Sequence, residues 1–581
     1  MELVEKLLID EIDLWSSADS IKSSGRGRVS AASINCYGVE KLRELIFQLA
    51  IRGRLLDQCA TDIPASHLLK EAETYASGLA SRAVNRKKKT YQSVSAEEIS
   101  FSTPEGWEWV RLGQLGEWGA GATPLRGTAS FYGGDIPWFK SGELSQDFIR
   151  VSEETVTELA LEKCSLRMNR PGDVLLAMYG ATIGKASILE VSGTTNQAVC
   201  ACTPYPGISN RYLLLLLKAM RANFIGQGAG GAQPNISREK IIVTPVAIPP
   251  AEEQERISLK VNELMALCKK LEGSIGDGMV SHQALVNGYI CQLLNSDSAE
   301  KFQENWNSML GKFDEIFISV DAIERLKNTA IDLGLRGKFS VAESTEESIA
   351  DLLNLCSKNS VDSRQKKVGR KGPESKAADL YEIPKDWSWV QLSQLATFEN
   401  GDRSKNYPSR VQFVEDGIAF INAGHLFDGK IDYSSMNFIN QAAYENLRSG
   451  KVKEGDILFC LRGSLGKFAV VERGQTGAIA SSLIIVRPLI SDLCEYLSVY
   501  FSSSLARAQI LKFDNGTAQP NLAGSDLALF KIPLPPLGEQ QYIVAKLKEL
   551  LSLCDQLKIN IVSSKELQRE IADTFVRQAL A

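Results

Sequence analysis

The chain has 581 residues, of which 44% are hydrophobic and 23% are charged. This is the composition of a globular protein, and it excludes a disordered or collagen-like chain. The 65 basic and 70 acidic side chains leave a net charge of −5, so any contact with nucleic acid has to come from local patches rather than from a global basic field.

Cysteine and histidine usage points away from metal sites. The three histidines lie far apart in the sequence, and the 11 cysteines include no Cys-x-x-Cys pair, which is typical of reduced thiols in a cytosolic protein. Residues 1–15 are acidic and amphipathic, and the longest apolar run, Tyr212 to Leu217, is too short to cross a bilayer. We therefore expect a soluble, cytoplasmic protein without a metal site.

The predicted elements follow the same order twice along the chain. A helix-rich stretch at 38–80 precedes a globular part of short strands at 104–250 and a long helix that begins near 251. The same three parts return at 322–360, at 384–536 and from about 537. The sequence therefore predicts an α+β protein with these segments: 1–90 helical with a basic linker, 104–250 globular, 251–360 helical, 361–383 a basic linker, 384–536 globular, and 537–581 a helix.

Short motifs support this duplication because they recur in the same order. Three pairs of segments show it: Trp107-Glu-Trp109 and Trp387-Ser-Trp389, Gly184-Lys185 and Gly466-Lys467, Ala232-Gln233-Pro234-Asn235 and Ala518-Gln519-Pro520-Asn521. Pro249-Pro250-x-x-Glu253-Gln254 likewise recurs as Pro535-Pro536-x-x-Glu539-Gln540, and Arg52-Gly53-Arg54 as Arg336-Gly337-Lys338. One module is thus used twice, and the copies differ most at 113–170 and 393–453.

Both long helices carry a heptad stripe. The stripe positions, spaced 4-3-4-3-4, are Ile257, Val261, Leu264, Cys268, Leu271 and Ile275 in the first helix and Ile543, Leu547, Leu550, Cys554, Leu557 and Ile561 in the second. We expect the two stripes to pack on each other as an antiparallel coiled pair with a pseudo-twofold axis. The alternative is that each stripe packs against its own globular domain. Gly273, Gly276 and Gly278 raise the expectation of a kink or break in the first helix.

No catalytic constellation is visible in the sequence. Gly180-x-x-x-Gly184-Lys185 is one residue too short for a phosphate-binding loop and lacks the Ser or Thr after the lysine. A Gly-rich hairpin turn explains it better, although a nucleotide hydrolase remains a third hypothesis. We predict a binding protein without a catalytic site or cofactor of its own.

Residue type and position predict a set of DNA contacts, because Arg, Lys, Asn and Gln pair with base edges and phosphates. They are Arg126, Tyr132, Lys140, Lys185, Gln233, Asn235, Arg403, Lys405, Asn406, Tyr407, Arg410, His425, Lys467, Gln519 and Asn521. For Trp138 we expect a core position, and for His425 a core or loop role stays open. The linkers offer Arg86, Lys87, Lys88, Lys89, Lys366, Lys367, Arg370 and Lys371, either as phosphate contacts or as solvated linker residues.

Several motifs resemble those of a known family, the specificity (S) subunits of type I restriction-modification enzymes. Gly121-Ala-Thr-Pro124, Tyr132-Gly-Gly-Asp135-Ile-Pro-Trp138 and Ser141-Gly142-Glu143-Leu144 resemble the opening of a target recognition domain. Ala-Gln-Pro-Asn followed by Pro-Pro-x-x-Glu-Gln, present twice, resembles the exit into the conserved helix. Arg52-Gly53-Arg54 resembles the longer members, which carry a conserved N-terminal helical region.

The resemblance implies a function for each part. Each target recognition domain would read one half of a bipartite double-stranded DNA target, and the long helices would set the spacer and dock two methyltransferase (modification) subunits. S-adenosylmethionine and ATP would be used by those subunits and by the restriction/translocase subunits, not by this chain. The main alternative is a duplicated protein-interaction scaffold that does not contact DNA.

Overall fold

A computed structural model of the protein describes residues 11–16, 36–82, 90–228, 234–339, 348–362, 381–514 and 520–580. Contacts within the chain divide it into two compact units. Unit 1 contains Met1–Met279 and Lys565–Ala581, and unit 2 contains Val280–Ser564. Each unit therefore takes one globular domain and parts of both long helices.

Unit 1 combines helices with a β-rich domain. Its helices are α1 (Ile12–Ser16), α2 (Tyr37–Ile51), α3 (Ala65–Arg82), α4 (Glu158–Lys163), α5 (Asn210–Ala219), α6 (Arg221–Gly228), α7 (Arg238–Ile242) and the first part of α8 (Ala251–Leu294). Its strands are β1 (Glu108–Arg111), β2 (Gly116–Ala120), β3 (Tyr132–Phe139), β4 (Phe148–Ile149), β5 (Glu154–Val156), β6 (Val174–Ala177), β7 (Ala186–Leu189), β8 (Thr194–Thr195), β9 (Val199–Pro204) and β10 (Pro245–Ile248).

The strands of unit 1 form three sheets. The largest has five strands in the order β2-β9-β6-β7-β4, and a smaller one has the order β5-β3-β8. The antiparallel pair β1-β10 joins the two ends of the globular domain, with Glu108 opposite Ile248. Helix α5 packs on β6 and β7, and its run of leucines is buried. Strand β6 lies in the part of the chain, 104–250, for which the sequence predicts short strands.

Unit 2 repeats this plan with additions. Its helices are the last part of α8, then α9 (Ala299–Leu310), α10 (Phe313–Ile316), α11 (Val320–Leu335), α12 (Ile349–Asp362), α13 (Gln441–Asn446), α14 (Leu493–Ser502), α15 (Ser504–Phe513), α16 (Gly524–Leu527) and the first part of α17 (Leu537–Leu580). Its strands are β11 (Ser388–Gln391), β12 (Ala396–Asn400), β13 (Phe413–Val414), β14 (Ile418–Ile421), β15 (Leu426–Phe427), β16 (Lys430–Ile431), β17 (Phe438–Ile439), β18 (Ile457–Cys460), β19 (Phe468–Val470), β20 (Gly477–Ile479), β21 (Leu483–Pro488) and β22 (Lys531–Leu534).

The sheets of unit 2 match those of unit 1 in the strands that both copies share. The order β12-β21-β18-β19 corresponds to β2-β9-β6-β7, and the pair β11-β22 corresponds to β1-β10. The smaller sheet also recurs, because β17-β14-β20 corresponds to β5-β3-β8, with one antiparallel and one parallel partner for the central strand in each copy. The described copies differ in strand β13, in the pair β15-β16 and in the edge strand β4, which lie in the variable stretches 113–170 and 393–453. The α+β architecture with two β-rich domains is therefore confirmed.

A tryptophan–glutamate hydrogen bond ties each globular domain to its long helix. The indole Nε1 of Trp107 donates to Oε2 of Glu253 at 2.9 Å, and Nε1 of Trp387 donates to Oε2 of Glu539, also at 2.9 Å. The Trp lies just before the first strand of the domain, and the Glu lies in the first turn of the helix. The recurring Trp-x-Trp and Pro-Pro-x-x-Glu-Gln motifs thus meet in space and have a structural role.

The recurring Arg-Gly motif also serves the framework. Gly53 and Gly337 follow helices α2 and α11 with φ values of 67° and 71°, a left-handed conformation that favours glycine. A Cβ at either glycine would lie 2.4 Å from a proline ring, that of Pro104 or Pro384. Only glycine allows the helix to end this close to the start of the globular domain.

Both long helices begin where the Pro-Pro pairs predict, at Ala251 and Leu537. Each runs for 44 residues, which corresponds to about 66 Å. Helix α8 continues through Gly273 and Gly278, and the expected break after Leu271 does not occur. Helix-breaking propensity at single glycines costs only about 1 kcal/mol each, which tertiary packing on both sides of the glycines offsets.

The first part of each heptad stripe packs in the core of its own globular domain. Ile257, Val261, Leu264 and Cys268 belong to the core of the first globular domain, with Leu271 and Ile275 packed against it. Ile543 and Leu547 belong to the core of the second domain, and Leu550 is half-buried. The alternative, in which each stripe packs against its own domain, is therefore confirmed for the first part of both helices.

The last part of each long helix contributes to the core of the unit that contains the first part of the other long helix. Ala572 and Val576, near the end of α17, share a core with the first part of α8. Val286 and Leu293, near the end of α8, share a core with Cys554, Leu557 and Ile561 of α17. In each unit the first part of one long helix thus shares a hydrophobic core with the last part of the other, while the two heptad stripes themselves lie in different cores.

Within the described ranges, no helix combines the length and the apolar character needed to cross a membrane.

Candidate nucleic-acid interface

Three of the predicted contacts of the first domain, Arg126, Tyr132 and Lys140, form one cluster beside the small sheet. The guanidinium of Arg126 lies 4.9 Å from the ring centroid of Tyr132 and 5.0 Å from that of Trp138. Trp138 is only 1% exposed, which confirms the expected core position, and its Nε1 donates to the carbonyl of Ala122 at 3.1 Å. The Tyr132 hydroxyl donates to the carbonyl of Pro124 at 2.5 Å. The aromatic residues therefore form a platform that holds Arg126.

An acidic residue that the sequence did not single out is the centre of this cluster. Glu154 accepts hydrogen bonds from Arg126 Nη1 at 2.5 Å and from Lys140 Nζ at 3.0 Å, and Lys140 also pairs with Glu153 at 2.8 Å. Arg126, followed by Lys140, holds the pKa of Glu154 below its ordinary value. Two cations and two carboxylates make the cluster neutral, so binding of a phosphate or base here requires exchange of an existing ion pair.

The two Gly-Lys segments are hairpin turns. Gly184 donates its backbone N–H to the carbonyl of Ala177 at 3.0 Å, and Lys185 donates to that of Thr182 at 2.9 Å. These amides close the turn between β6 and β7, so they cannot cradle a phosphate. The hairpin interpretation is favoured over a nucleotide-binding loop for this geometric reason.

The Pro-Asn residues of the Ala-Gln-Pro-Asn motifs lie beside these turns in both copies. Asn235 forms an isolated bridge with Tyr179, and Asn521 forms one with Arg462. Side chains of Lys467 and Asn235 are exposed, whereas Lys185 and Asn521 are half-buried. Gln233 and Gln519 lie outside the described residues. The structure therefore brings the lysine and asparagine of each copy onto one side of the domain.

Five of the predicted contacts of the second domain lie on the loop after β12. Arg403 donates from Nη2 to the carbonyl of Ser481 at 3.1 Å, and Asn406 donates from Nδ2 to the carbonyl of Asn446 at 2.9 Å. Tyr407 packs edge-on against Phe420, with 5.6 Å between the ring centroids. Lys405 is exposed, and Arg410 begins a short 3-10 helix, Arg410–Gln412. Arg403 and Asn406 thus hold this loop by donating to backbone carbonyls, and the side chains of Arg403 and Lys405 are exposed.

His425 has a structural position. It is 4% exposed, and its Nδ1 accepts the backbone N–H of Asn422 at 3.2 Å. Its burial favours the core role that we left open over a contact with a base. The eight basic residues of the two linkers (Arg86, Lys87, Lys88, Lys89, Lys366, Lys367, Arg370 and Lys371) lie outside the described residues.

In the part of the chain that the structure describes, no three His, Cys, Asp or Glu side chains lie close enough together to hold a metal ion. A cleft in unit 1 is lined by several cations, of which only Lys185 is among the contacts predicted from the sequence. Arg211, Arg221 and Lys269 come from different helices, and only tertiary packing brings them together.

Comparison with known proteins connects this geometry to a family. The family model "Type I restriction modification DNA specificity domain" matches residues 104–275 and 384–564. The chain is 27% identical over 601 residues to the EcoAI specificity subunit of Escherichia coli, covering 99% of this chain and 100% of that protein. It is 28% identical over 611 residues to the EcoEI specificity subunit of the same organism, with coverage of 99% and 100%.

A solved structure also aligns with most of the chain. The crystal structure of the HsdS subunit from Thermoanaerobacter tengcongensis is similar with a TM-score of 0.39 and 17% sequence identity, covering 83% of this chain and 98% of that one.

Proposed function

This chain belongs to the type I restriction modification DNA specificity family, and from that premise we propose that its two domains each read one half of a bipartite DNA target. One observation carries the proposal most directly: the two domains share a framework and differ where they would meet bases. The framework residues Trp107, Glu253, Trp387 and Glu539 form the same contacts in both copies. The sheets differ only in the variable stretches, as expected of two readers with different targets.

The reading surfaces are assigned to the variable stretches. In the first domain they include Arg126, Tyr132 and Lys140, and in the second Arg403, Lys405, Asn406, Tyr407 and Arg410. The hairpins and the Ala-Gln-Pro-Asn motifs would contact the DNA phosphate backbone beside these surfaces through Lys185, Lys467, Asn235, Asn521, Gln233 and Gln519. The two basic linkers would add further phosphate contacts. The domains would span 104–250 and 384–536, joined by the helical region 251–360 and the linker 361–383.

The long helices would serve as spacer and docking surface. Helices of 44 residues are about 66 Å long. This length exceeds the separation of about 34 Å between half-sites one helical turn apart. We propose that the helices hold two methyltransferase subunits, which use S-adenosylmethionine, and that restriction subunits, which use ATP, complete the assembly. This chain would supply sequence recognition without a catalytic step, and it would act in the cytoplasm.

A domain exchange tests this proposal. Residues 104–250 are replaced by the corresponding domain of a related specificity subunit, and N6-methyladenine is mapped in genomic DNA with and without the chain. We expect one half of the methylated sequence to change while the other half and the spacer stay the same. A change in both halves would exclude two independent readers.

A second experiment separates DNA recognition from a scaffold role. A gel shift with a mixed-sequence DNA duplex, the chain and its methyltransferase subunit is measured over a range of salt concentrations. We expect binding that weakens as salt rises. Absence of binding even at low salt would favour the protein-interaction scaffold.

A further inference from the structure

A basic cleft of about 790 Å³ lies within unit 1. Its walls come from helices α2, α5, α6 and α8, from the loop before β4 and from the hairpin turn at Gly184. Six basic side chains line it: Arg43, Lys185, Arg211, Lys218, Arg221 and Lys269. Because the whole chain has a net charge of −5, this concentration of cations is a local feature.

The two carboxylates of the cleft are neutralised by two of these cations. Arg43 donates to both carboxylate oxygens of Glu272, at 2.6 and 2.7 Å. Lys218 pairs with Asp147. The acidic side chains therefore do not compete for the remaining cations, and they do not repel an incoming anion as free carboxylates would.

Four cations remain without an acidic partner among the described residues. Lys185, Arg211, Arg221 and Lys269 form no ion pair there, although Arg211 lies 5.8 Å from the ring centroid of Phe148. Arg221 uses only Nε, which donates to the carbonyl of Ile183 at 3.4 Å, so its terminal nitrogens are available. The cleft thus carries a surplus positive charge.

The second copy of the module does not repeat this surplus on its sheet-packing helix. Tyr212 and Tyr496 mark equivalent positions, because each hydroxyl donates to a carbonyl of the last strand of its domain. The residue before each tyrosine is Arg211 in the first copy and Glu495 in the second. A cation of the first copy is therefore replaced by an acid.

The long helices show the same reversal. Cys268 and Cys554 occupy the same position of the heptad stripe, and the residues that follow are Lys269 and Asp555. Asp555 forms an ion pair with Lys327 at 2.8 Å. Two of the four surplus cations thus have acidic counterparts, whereas Lys185 keeps a cationic counterpart in Lys467, so the second copy carries less positive charge at these positions.

We propose that this cleft binds the phosphate backbone of DNA and gives the first recognition domain a sequence-independent anchor that the second domain lacks. The inference rests on the proposed DNA recognition. The cleft continues the surface assigned to DNA there, because Lys185 belongs to both and its hairpin adjoins Asn235. Arginine and lysine are the side chains that hold phosphates in protein–DNA complexes. The first half-site is then held more tightly and with greater salt dependence than the second.

Removal of two surplus cations tests the anchor. The variant Arg221→Gln with Lys269→Gln is compared with a control, Lys163→Gln with Lys270→Gln, which removes the same charge from exposed positions outside the cleft. Binding of a mixed-sequence DNA duplex by the full chain with its methyltransferase subunits is measured against salt concentration. The slope of log affinity against log salt should become shallower by about 1.8 in the cleft variant, because each phosphate contact contributes about 0.9. The control should keep the slope of the unmodified protein.

Each result decides between specific explanations. If the unmodified protein binds no DNA at low salt, the proposed function fails and the anchor fails with it. If it binds and the cleft variant keeps its full slope, the anchor is refuted while DNA recognition stands. If the variant keeps the slope but loses its methyltransferase subunits on gel filtration, the cleft docks an acidic protein segment instead, which also refutes the anchor. Should the double variant unfold, Lys269→Gln alone should lower the slope by about 0.9.

Discussion

The tryptophan–glutamate hydrogen bond at the start of α8 allows us to predict how much the substitution Trp107→Phe lowers the free energy of unfolding. Trp107 is 6% exposed and Glu253 is 2% exposed, so the substitution removes a buried donor from a buried carboxylate. A hydrogen bond to a charged group contributes about 1.5–3 kcal/mol, and the smaller ring loses about 1 kcal/mol of packing. We expect Trp107→Phe to lower the free energy of unfolding of unit 1 by about 3 kcal/mol.

Trp109, in strand β1 two residues after Trp107, provides a matched control. It is half-buried and packs against Phe101, with 4.8 Å between ring centroids, but its indole nitrogen has no hydrogen-bond partner among the described residues. Trp109→Phe therefore loses packing without losing a hydrogen bond, and should cost about 1 kcal/mol.

Urea unfolding of the full chain, followed by circular dichroism at the helix band, measures both variants. Adding Glu253→Gln to Trp107→Phe should recover part of the loss, because the unpaired group is then neutral. Equal destabilisation by Trp107→Phe and Trp109→Phe would refute the reasoning, since it would show that ring size and not the hydrogen bond determines the cost.

Two further predictions concern carboxylates. Burial raises the pKa of Glu253 above its ordinary value, against the opposing effect of the Trp107 hydrogen bond. The stabilising contribution of this carboxyl group is therefore full below its pKa in the unfolded chain and is lost as pH rises through its pKa in the folded protein. Glu253→Gln should gain stability relative to the unmodified protein between acidic and neutral pH, and a constant difference in urea midpoint would contradict this. Glu154→Gln frees Arg126 and Lys140 from their shared acid and should raise affinity for a DNA duplex by about 10-fold at low salt, measured by fluorescence anisotropy. Glu162→Gln, at an exposed position of α4, removes the same charge, and an equal gain in that variant would assign the effect to net charge alone.

Local sequence patterns were sufficient for the elements with strong periodicity. The starts of α8 and α17 follow from Pro-Pro pairs with acidic residues in the first turn, and strands β6 and β18 from apolar runs after Gly-Asp. These signals depend on neighbours within one or two turns, so they survive without knowledge of the fold. The glycines after Leu271 show the limit of the same logic, because packing on both sides of them outweighed their weak helix propensity.

The recurring motifs were recognised, but their roles were not. Trp107 and Glu253 are far apart in the sequence and meet only when β1 pairs with β10 at the start of α8. The heptad stripes by themselves do not tell whether they pack against a globular domain or with the other long helix. Both occur, because Ile257 lies in a domain core and Cys554 lies in a core shared with the end of α8.

The sequence by itself determined that one module is used twice, that each copy carries strands followed by a long helix, and that the copies differ in their loops. Those properties are encoded by residue order and by periodicity along the chain. Only the tertiary structure decided which charges remain available. Arg126 is paired with Glu154, His425 is buried, and Arg221 and Lys269 share a cleft without an acidic partner among the described residues. The reason is physical: an ion pair depends on distance in space, and distances between segments remote in sequence are set by how the sheets and helices pack.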